Sequence, residues 1–144
     1  MKKSVLLGGA LLAGLLACGT PPTNQATLAK GTSELKSAIQ REVADPGRRD
    51  KLLAHADSLE AVLRSHIADY AKFVDEFRRL NDTYDTSPAQ LDALFATYEQ
   101  KRQDSRARLL ELHFQVIRLT SAQEWAPIGK AEVEMLQALT TEPR

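Results

Sequence analysis

The chain has 144 residues, with 19 basic and 19 acidic side chains and a single cysteine, Cys18. This length suits one domain, the balanced charge gives no basic field that would attract nucleic acid, and one cysteine excludes a disulfide within the chain. The abundance of Ala, Leu, Glu, Gln, Arg and Lys favours helices throughout.

A charged start and a short apolar run precede Cys18. Lys2 and Lys3 are followed by an apolar stretch over residues 5–16 that contains three glycines. The run is shorter than the roughly 20 residues that a membrane-spanning helix needs, so residues 1–17 are predicted to be a cleaved signal peptide. Removal of Lys2 and Lys3 leaves a net charge of −2.

The run Leu15-Leu16-Ala17-Cys18 resembles the lipobox of bacterial lipoproteins. The resemblance implies that Cys18 becomes the acylated first residue, anchored at the periplasmic face of the bacterial envelope. Gly19 stands where an inner-membrane retention signal has Asp, which favours the outer membrane. Each buried methylene contributes about 0.8 kcal/mol, so two or more acyl chains anchor stably. The alternative is a free or buried thiol in a signal peptide that is cut elsewhere.

Residues 18–31 are predicted to form a flexible tether. The segment is polar, contains two prolines and shows no apolar period. A helical domain over residues 32–144 follows. Its first helix is predicted at residues 32–43, where apolar residues recur every four positions at Leu35, Ile39 and Val43.

A long second helix is predicted to start after Asp45, an N-cap followed by Pro46 at the first helical position. Ten residues along it lie alternately three and four positions apart and predict a heptad seam: Leu52, Ala56, Leu59, Leu63, His66, Tyr70, Phe73, Phe77, Leu80 and Tyr84. We interpret His66 as a hydrogen-bonded histidine of the core or of an interface. Such a seam requires a partner helix.

A third helix supplies this partner. After a polar turn, Ser87-Pro88-Ala89-Gln90 has the form of a capping box. The short connection predicts that the second and third helices are antiparallel, and the polar residues 99–108 predict a thin core between them. The predicted fold is therefore all-α, a long antiparallel helical hairpin with short flanking N- and C-terminal helices.

Thr120-Ser121-Ala122-Gln123 is a second predicted capping box, with Thr120 as N-cap and Gln123 reaching back to it. Pro127 follows too far into the next helix to be tolerated freely, so a kink or short break is predicted there. This last helix is predicted to fold back along the hairpin with one apolar face formed by Val133, Leu136 and Leu139.

The run from Leu119 to Gln123, which leads into Trp125, resembles the LTxxQ motif of the Spy/CpxP family of periplasmic proteins. The segment from Ser87 to Gln90 is a partial second copy, with Thr86 where leucine would stand. The resemblance implies a helical binding protein without a cofactor, an ATP-independent chaperone or envelope-stress modulator that binds unfolded or regulatory envelope proteins and forms homodimers. A structural envelope lipoprotein and a metal-sensing or metal-resistance protein remain alternatives.

Seven residues are candidates for partner binding. Trp125 is interpreted as an anchor of the last corner or as a partner contact, and the six others are basic: Lys72, Arg78, Arg79, Arg102, Arg106 and Arg108. The basic residues would steer acidic segments of a partner, an effect that salt weakens. The alternative is a solvated face with intrahelical ion pairs of about 0.3–0.5 kcal/mol each.

His55 and His113 are the candidate metal ligands. In an antiparallel hairpin they come within about one turn of each other, with Asp57 and Glu111 nearby. Neither histidine has a ligand one turn away in its own helix, as strong metal sites do, so no metal site is predicted. The chain shows no phosphate-binding glycine-rich loop and no recognisable catalytic order of Ser, His and Asp, so a non-enzymatic function is predicted.

Overall fold

A computed structural model describes residues 24–137. The predicted signal peptide, Cys18 and Leu139 lie outside the described residues. The described chain folds into α1 (Asn24–Glu42), α2 (Pro46–Asn81), α3 (Pro88–Leu119) and α4 (Ala122–Leu136), and this part of the chain contains no strand. The all-α prediction is confirmed. None of these four helices combines the length and the apolar character that crossing a membrane requires.

α1 starts at Asn24, earlier than the predicted start at residue 32. Residues 24–31 are therefore helical, and the predicted tether was wrong for this stretch. The cause is tertiary, because Leu28 is fully buried and Gly31 lies against α4. The buried hydroxyl of Thr32 is satisfied by donating to the carbonyl oxygen of Leu28 at 2.9 Å.

α2 starts as predicted. The Asp45 carboxylate accepts from the backbone N–H of Arg48 at 2.7 Å, and Pro46 occupies the first helical position. The first part of the predicted seam is buried, at Leu52, Ala56, Leu59 and Leu63, whereas the later aromatic members are partly or largely exposed. Tyr84 does not belong to the seam, since α2 ends at Asn81 and Tyr84 is fully exposed in the turn that follows.

α3 contributes little to the core in its first two thirds. Its fully buried residues are Leu112 and Val116, both near its C-terminal end. No side chain is buried over residues 99–108. The predicted thin stretch is confirmed, because a polar segment has no apolar side chains to place between two helices.

α4 runs past Pro127 without interruption, so the predicted break is absent. Proline removes the hydrogen bond to the carbonyl four residues earlier, and that carbonyl belongs to Gln123, which is exposed in the first turn of α4. An exposed carbonyl is open to water, so the missing donor costs little and the helix continues.

The hydrophobic core is built from α1, α4, the first part of α2 and the end of α3. α4 packs mainly against α1, which in turn packs against α2. α2 and α3 also contact each other far from this core, where Lys101 binds Asp69 at 2.7 Å and the Phe73 and Tyr98 rings stack. The core residues of the described part of the chain lie between Leu28 and Met135, and a chain starting at residue 19 contains all of them.

Candidate functional site

The corner between α3 and α4 contains the motif residues, but the cap is shifted by one position from the prediction. Ser121, not Thr120, is the N-cap, and its hydroxyl accepts from the Glu124 backbone N–H at 3.3 Å. The Glu124 carboxylate accepts in return from the Ser121 N–H at 2.7 Å. Thr120 instead ends α3, where its hydroxyl donates to the Val116 carbonyl at 3.1 Å.

Glu124 also has a partner on another helix. Arg48 in the first turn of α2 donates to both Glu124 carboxylate oxygens, at 2.8 and 3.0 Å, and to the Leu119 carbonyl at 3.1 Å. The Arg48 guanidinium, together with the Ser121 N–H, lowers the pKa of Glu124 to about 2. Gln123 is exposed and lies outside this network. Glu124 and the Leu119 carbonyl, rather than the side chains of Thr120 and Gln123, thus fix the corner to the start of α2.

The cap of α3 is the one predicted. Ser87 is the N-cap, and the Gln90 side-chain oxygen accepts from its backbone N–H at 2.8 Å. Ser87 and Gln90 are both exposed. This second motif copy therefore ends a turn at the surface and makes no contact comparable with that of Glu124.

Four of the six basic candidates form ion pairs within their own helix. Arg78 and Arg79 bind Asp75 and Glu76, Arg102 binds Glu99 and Arg108 binds Glu111, at distances of 2.6–3.2 Å. Within residues 24–137, no carboxylate pairs with Lys72 or Arg106. Exposed pairs of this kind are weak, and they reduce the positive field that the sequence predicted.

A cluster of five aromatic rings lies between α2 and α3, beyond the core. Phe73 is its centre, with centroid distances of 4.4 Å to Tyr98 and 5.3 Å to Phe95. Phe77 lies 5.9 Å from Phe95, and Tyr70 lies 6.2 Å from Tyr98. We call these five residues the distal aromatic surface.

The distal aromatic surface is substantially open to solvent. Tyr70, Phe77 and Phe95 are 41%, 38% and 49% exposed. Phe73 and Tyr98 are half-buried beneath them, and burial raises the pKa of the Tyr98 hydroxyl. Tyr70, Phe73 and Phe77 belong to the predicted heptad seam of α2, and α3 covers them only in part.

Trp125 lies at the last corner, as the sequence suggested. Its ring packs against the core, with its centroid 5.5 Å from that of His113 and with Gly129 directly beneath it. The indole remains partly accessible at the surface of α4. This placement fits the interpretation of Trp125 as a corner anchor.

A cleft of about 370 Å³ lies between α2, α3 and α4. Its apolar lining comes from Leu59, Leu109, Leu110 and Leu136. His66 lines it as well and is half-buried, but it makes no hydrogen bond with another described residue, so the predicted hydrogen-bonded histidine was wrong in that respect. Sequence reasoning missed this cleft, since the position of α4 against α2 and α3 creates it.

One wall of the cleft contains a buried carboxylate. Glu132 is 2% exposed, and its two oxygens lie 3.1 and 3.2 Å from Nδ1 of His113. Burial raises the pKa of Glu132, and the neighbouring His113 opposes that shift. His113 is therefore engaged with Glu132.

His55 and His113 do not form a metal site in the described chain. Asp57 binds Lys36 of α1, Glu111 binds Arg108, and burial together with the Arg108 charge lowers the pKa of His55. No group of three or more potential ligands occurs among residues 24–137.

The chain matches no known protein family, no curated protein and no solved structure. The helices of residues 24–137 place the chain in a structural class, that of four-helix all-α proteins.

Proposed function

We propose that this protein is a lipid-anchored helical binding protein of the bacterial envelope, with the distal aromatic surface as its docking site. In this proposal α2 and α3 form a long antiparallel hairpin. The α1 and α4 helices pack at one end of it, and the other end presents the aromatic surface. Its partners are unfolded or regulatory envelope proteins that expose apolar segments.

The observation that carries the proposal is the exposure of Tyr70, Phe77 and Phe95 in one contiguous patch. Soluble proteins rarely leave contiguous apolar patches uncovered unless they bind something. Aromatic side chains dominate the energetics of protein interfaces because they bury a large area with few rotatable bonds. The patch therefore has the composition of a binding surface.

The hairpin arrangement is supported by pairs of contacts at both ends of α2 and α3. Arg48 at the start of α2 binds the carbonyl of Leu119 at the end of α3. Phe77 near the end of α2 packs against Phe95 near the start of α3. The patch thus lies well over 30 Å from the corner along α2, at 1.5 Å per residue.

Cys18 connects this surface to the membrane in the proposal. The Leu15 to Cys18 run supports lipid attachment, and Gly19 supports the outer membrane. At most a few residues separate Cys18 from the start of α1 at Asn24, so the helical domain would lie close to the lipid surface.

Aggregation assays test the proposal. A chain of residues 19–144 is mixed at increasing ratios with a client protein that precipitates on dilution from denaturant, and light scattering is followed. We expect suppression near a stoichiometric ratio. The double substitution of Phe77 and Phe95 to serine should require about tenfold more protein for the same effect, since both sites have the character of interface hot spots.

Phe114→Ser is the matched control, because Phe114 is equally exposed at 53% but lies on α3 outside the distal aromatic surface. It should suppress as well as the unmodified chain. Failure of the unmodified chain at every salt concentration, or equal loss in the control, would contradict the proposal. Crosslinking that captures one constant, folded partner would instead favour a structural envelope role.

A further inference from the structure

The cleft between α2, α3 and α4 is separate from the distal aromatic surface. Its volume of about 370 Å³ lies in the range of small-molecule pockets. Leu59, Leu109, Leu110 and Leu136 give it leucine walls on three helices. An apolar cleft with few convergent polar groups is the usual form of a ligand site.

One charged group of the cleft lining has no partner. Glu132 lies 3.1 Å from His113 Nδ1, and Arg102 is bound by Glu99 at 2.8 Å. Arg106 lines the cleft, is exposed and has no carboxylate partner among the described residues. The group left without a partner at this site is therefore a cation.

The charged and apolar parts of the cleft follow one another along α3. Arg106 precedes Leu109 and Leu110 by about one helical turn and His113 by about two, or roughly 10 Å at 1.5 Å per residue. A ligand that satisfies this order has an anionic head beside Arg106 and a chain that extends over the leucines. In this orientation the anionic head group is far from Glu132, which lies near the other end of the bound ligand.

We propose that this cleft binds a single-chain amphiphile with an anionic head group, of which a medium-chain fatty acid is the simplest example. The leucine walls take the acyl chain and Arg106 binds the carboxylate. A cationic amphiphile of equal length would place its head against an unpaired arginine, and a peptide side chain would leave most of the cleft length unfilled.

Isothermal titration calorimetry tests this proposal on the 19–144 chain, with ligands kept below their micellar concentrations. Decanoate should bind, hexanoate should bind more weakly because it buries less apolar area, and decyltrimethylammonium should bind at least about tenfold more weakly than decanoate. Arg106→Gln should weaken the affinity for decanoate about threefold to tenfold. This range corresponds to the loss of a charged contact that is between fully exposed and fully desolvated.

Three substitutions separate the cleft from general surface effects. Ser105→Phe places a ring in the cleft, since Ser105 is part of its lining, and should abolish decanoate binding. Ser65→Phe adds the same ring on an exposed position of α2 and should leave binding unchanged, as should Arg118→Gln on the exposed side of α3. Circular dichroism verifies that each variant is folded.

Several results would overturn the proposal. These are absence of decanoate binding, equal affinity for decanoate and decyltrimethylammonium, or binding that survives in a folded Ser105→Phe variant. Displacement of decanoate by a client peptide, with Phe77→Ser also losing decanoate, would show that the ligand binds the distal aromatic surface instead.

Discussion

α1 and α4 lie close together at Gly31, and replacing this glycine with alanine tests how the core is packed. A Cβ atom at Gly31 would lie 2.5 Å from the Cα of Met135 and 3.1 Å from its backbone nitrogen. These are backbone atoms, so no rotation of a side chain relieves the overlap. The two helices must move apart for the methyl group to fit.

Two opposing effects decide the magnitude. Alanine is favoured over glycine in a helix by about 1 kcal/mol, whereas overpacking a well-packed contact costs about 1–3 kcal/mol. The backbone overlap at Met135 places Gly31→Ala at the upper end of that cost. We expect a net loss of about 2 kcal/mol in the free energy of unfolding, or a melting temperature lower by about 8 °C at roughly 4 °C per kcal/mol.

Two other helical glycines provide matched controls. At Gly47 an added Cβ would meet only the Asp45 carboxylate at 3.7 Å, so Gly47→Ala should stabilise the protein by about 0.5 kcal/mol. At Gly129 the Cβ would lie 2.9 Å from the Trp125 ring, a side chain that can shift. Gly129→Ala should therefore fall between the other two.

Urea unfolding followed by circular dichroism at 222 nm measures the three variants. The expected order of stability is Gly47→Ala, then Gly129→Ala, then Gly31→Ala. The reasoning is refuted if Gly31→Ala is as stable as the unmodified chain, because that result would mean that α1 and α4 are not in backbone contact.

Three further predictions concern the charged groups and the anchor. The folded-state pKa of Glu124, about 2, lies below its unfolded value near 4.5. The stabilising effect of Glu124 is therefore complete above pH 4.5 and is lost as the pH falls toward 2. The difference in urea midpoint between the unmodified chain and Glu124→Gln should shrink from pH 6 to pH 3, and a constant difference would exclude the Arg48 contact. His113→Ala leaves the buried Glu132 without its partner and should lower the free energy of unfolding by about 1–3 kcal/mol at pH 7. Adding Glu132→Gln to the same chain should recover part of that stability in urea titrations. Mass spectrometry of the membrane fraction should find a chain that starts at an acylated Cys18, and Cys18→Ser should remain unprocessed; an intact Met1 in the unmodified protein would disprove the lipoprotein prediction.

Local sequence signals predicted the starts of the two long helices, α2 and α3. Asp45 followed by proline, and Ser87 followed by proline, each determine a cap within four residues of chain, and α2 and α3 start at those positions. The polar residues 99–108 likewise predicted the thin stretch, since composition alone decides whether a helix has apolar side chains to bury.

Other features were decided by contacts between helices. The cap at Ser121 is a local capping box with Glu124 that the interpretation of Thr120 as N-cap overlooked, whereas the bond from Arg48 to Glu124 joins two helices. The extent to which α3 covers Phe77, which is 38% exposed, was likewise decided by the packing of the two helices. The cleft and the contact between His113 and Glu132 could not be predicted either, because residue spacing along one helix does not show which helices pack together.

The sequence by itself determined that this chain is helical, where its two long helices start, and that it has a lipobox-like start at Cys18. Only the tertiary structure decided that α1 reaches back to Asn24 and that α4 packs on it. The physical reason is the sequence distance over which each interaction acts. A cap or a proline acts within about one helical turn, whereas Gly31 and Met135, which are in contact, are separated by more than a hundred residues of sequence.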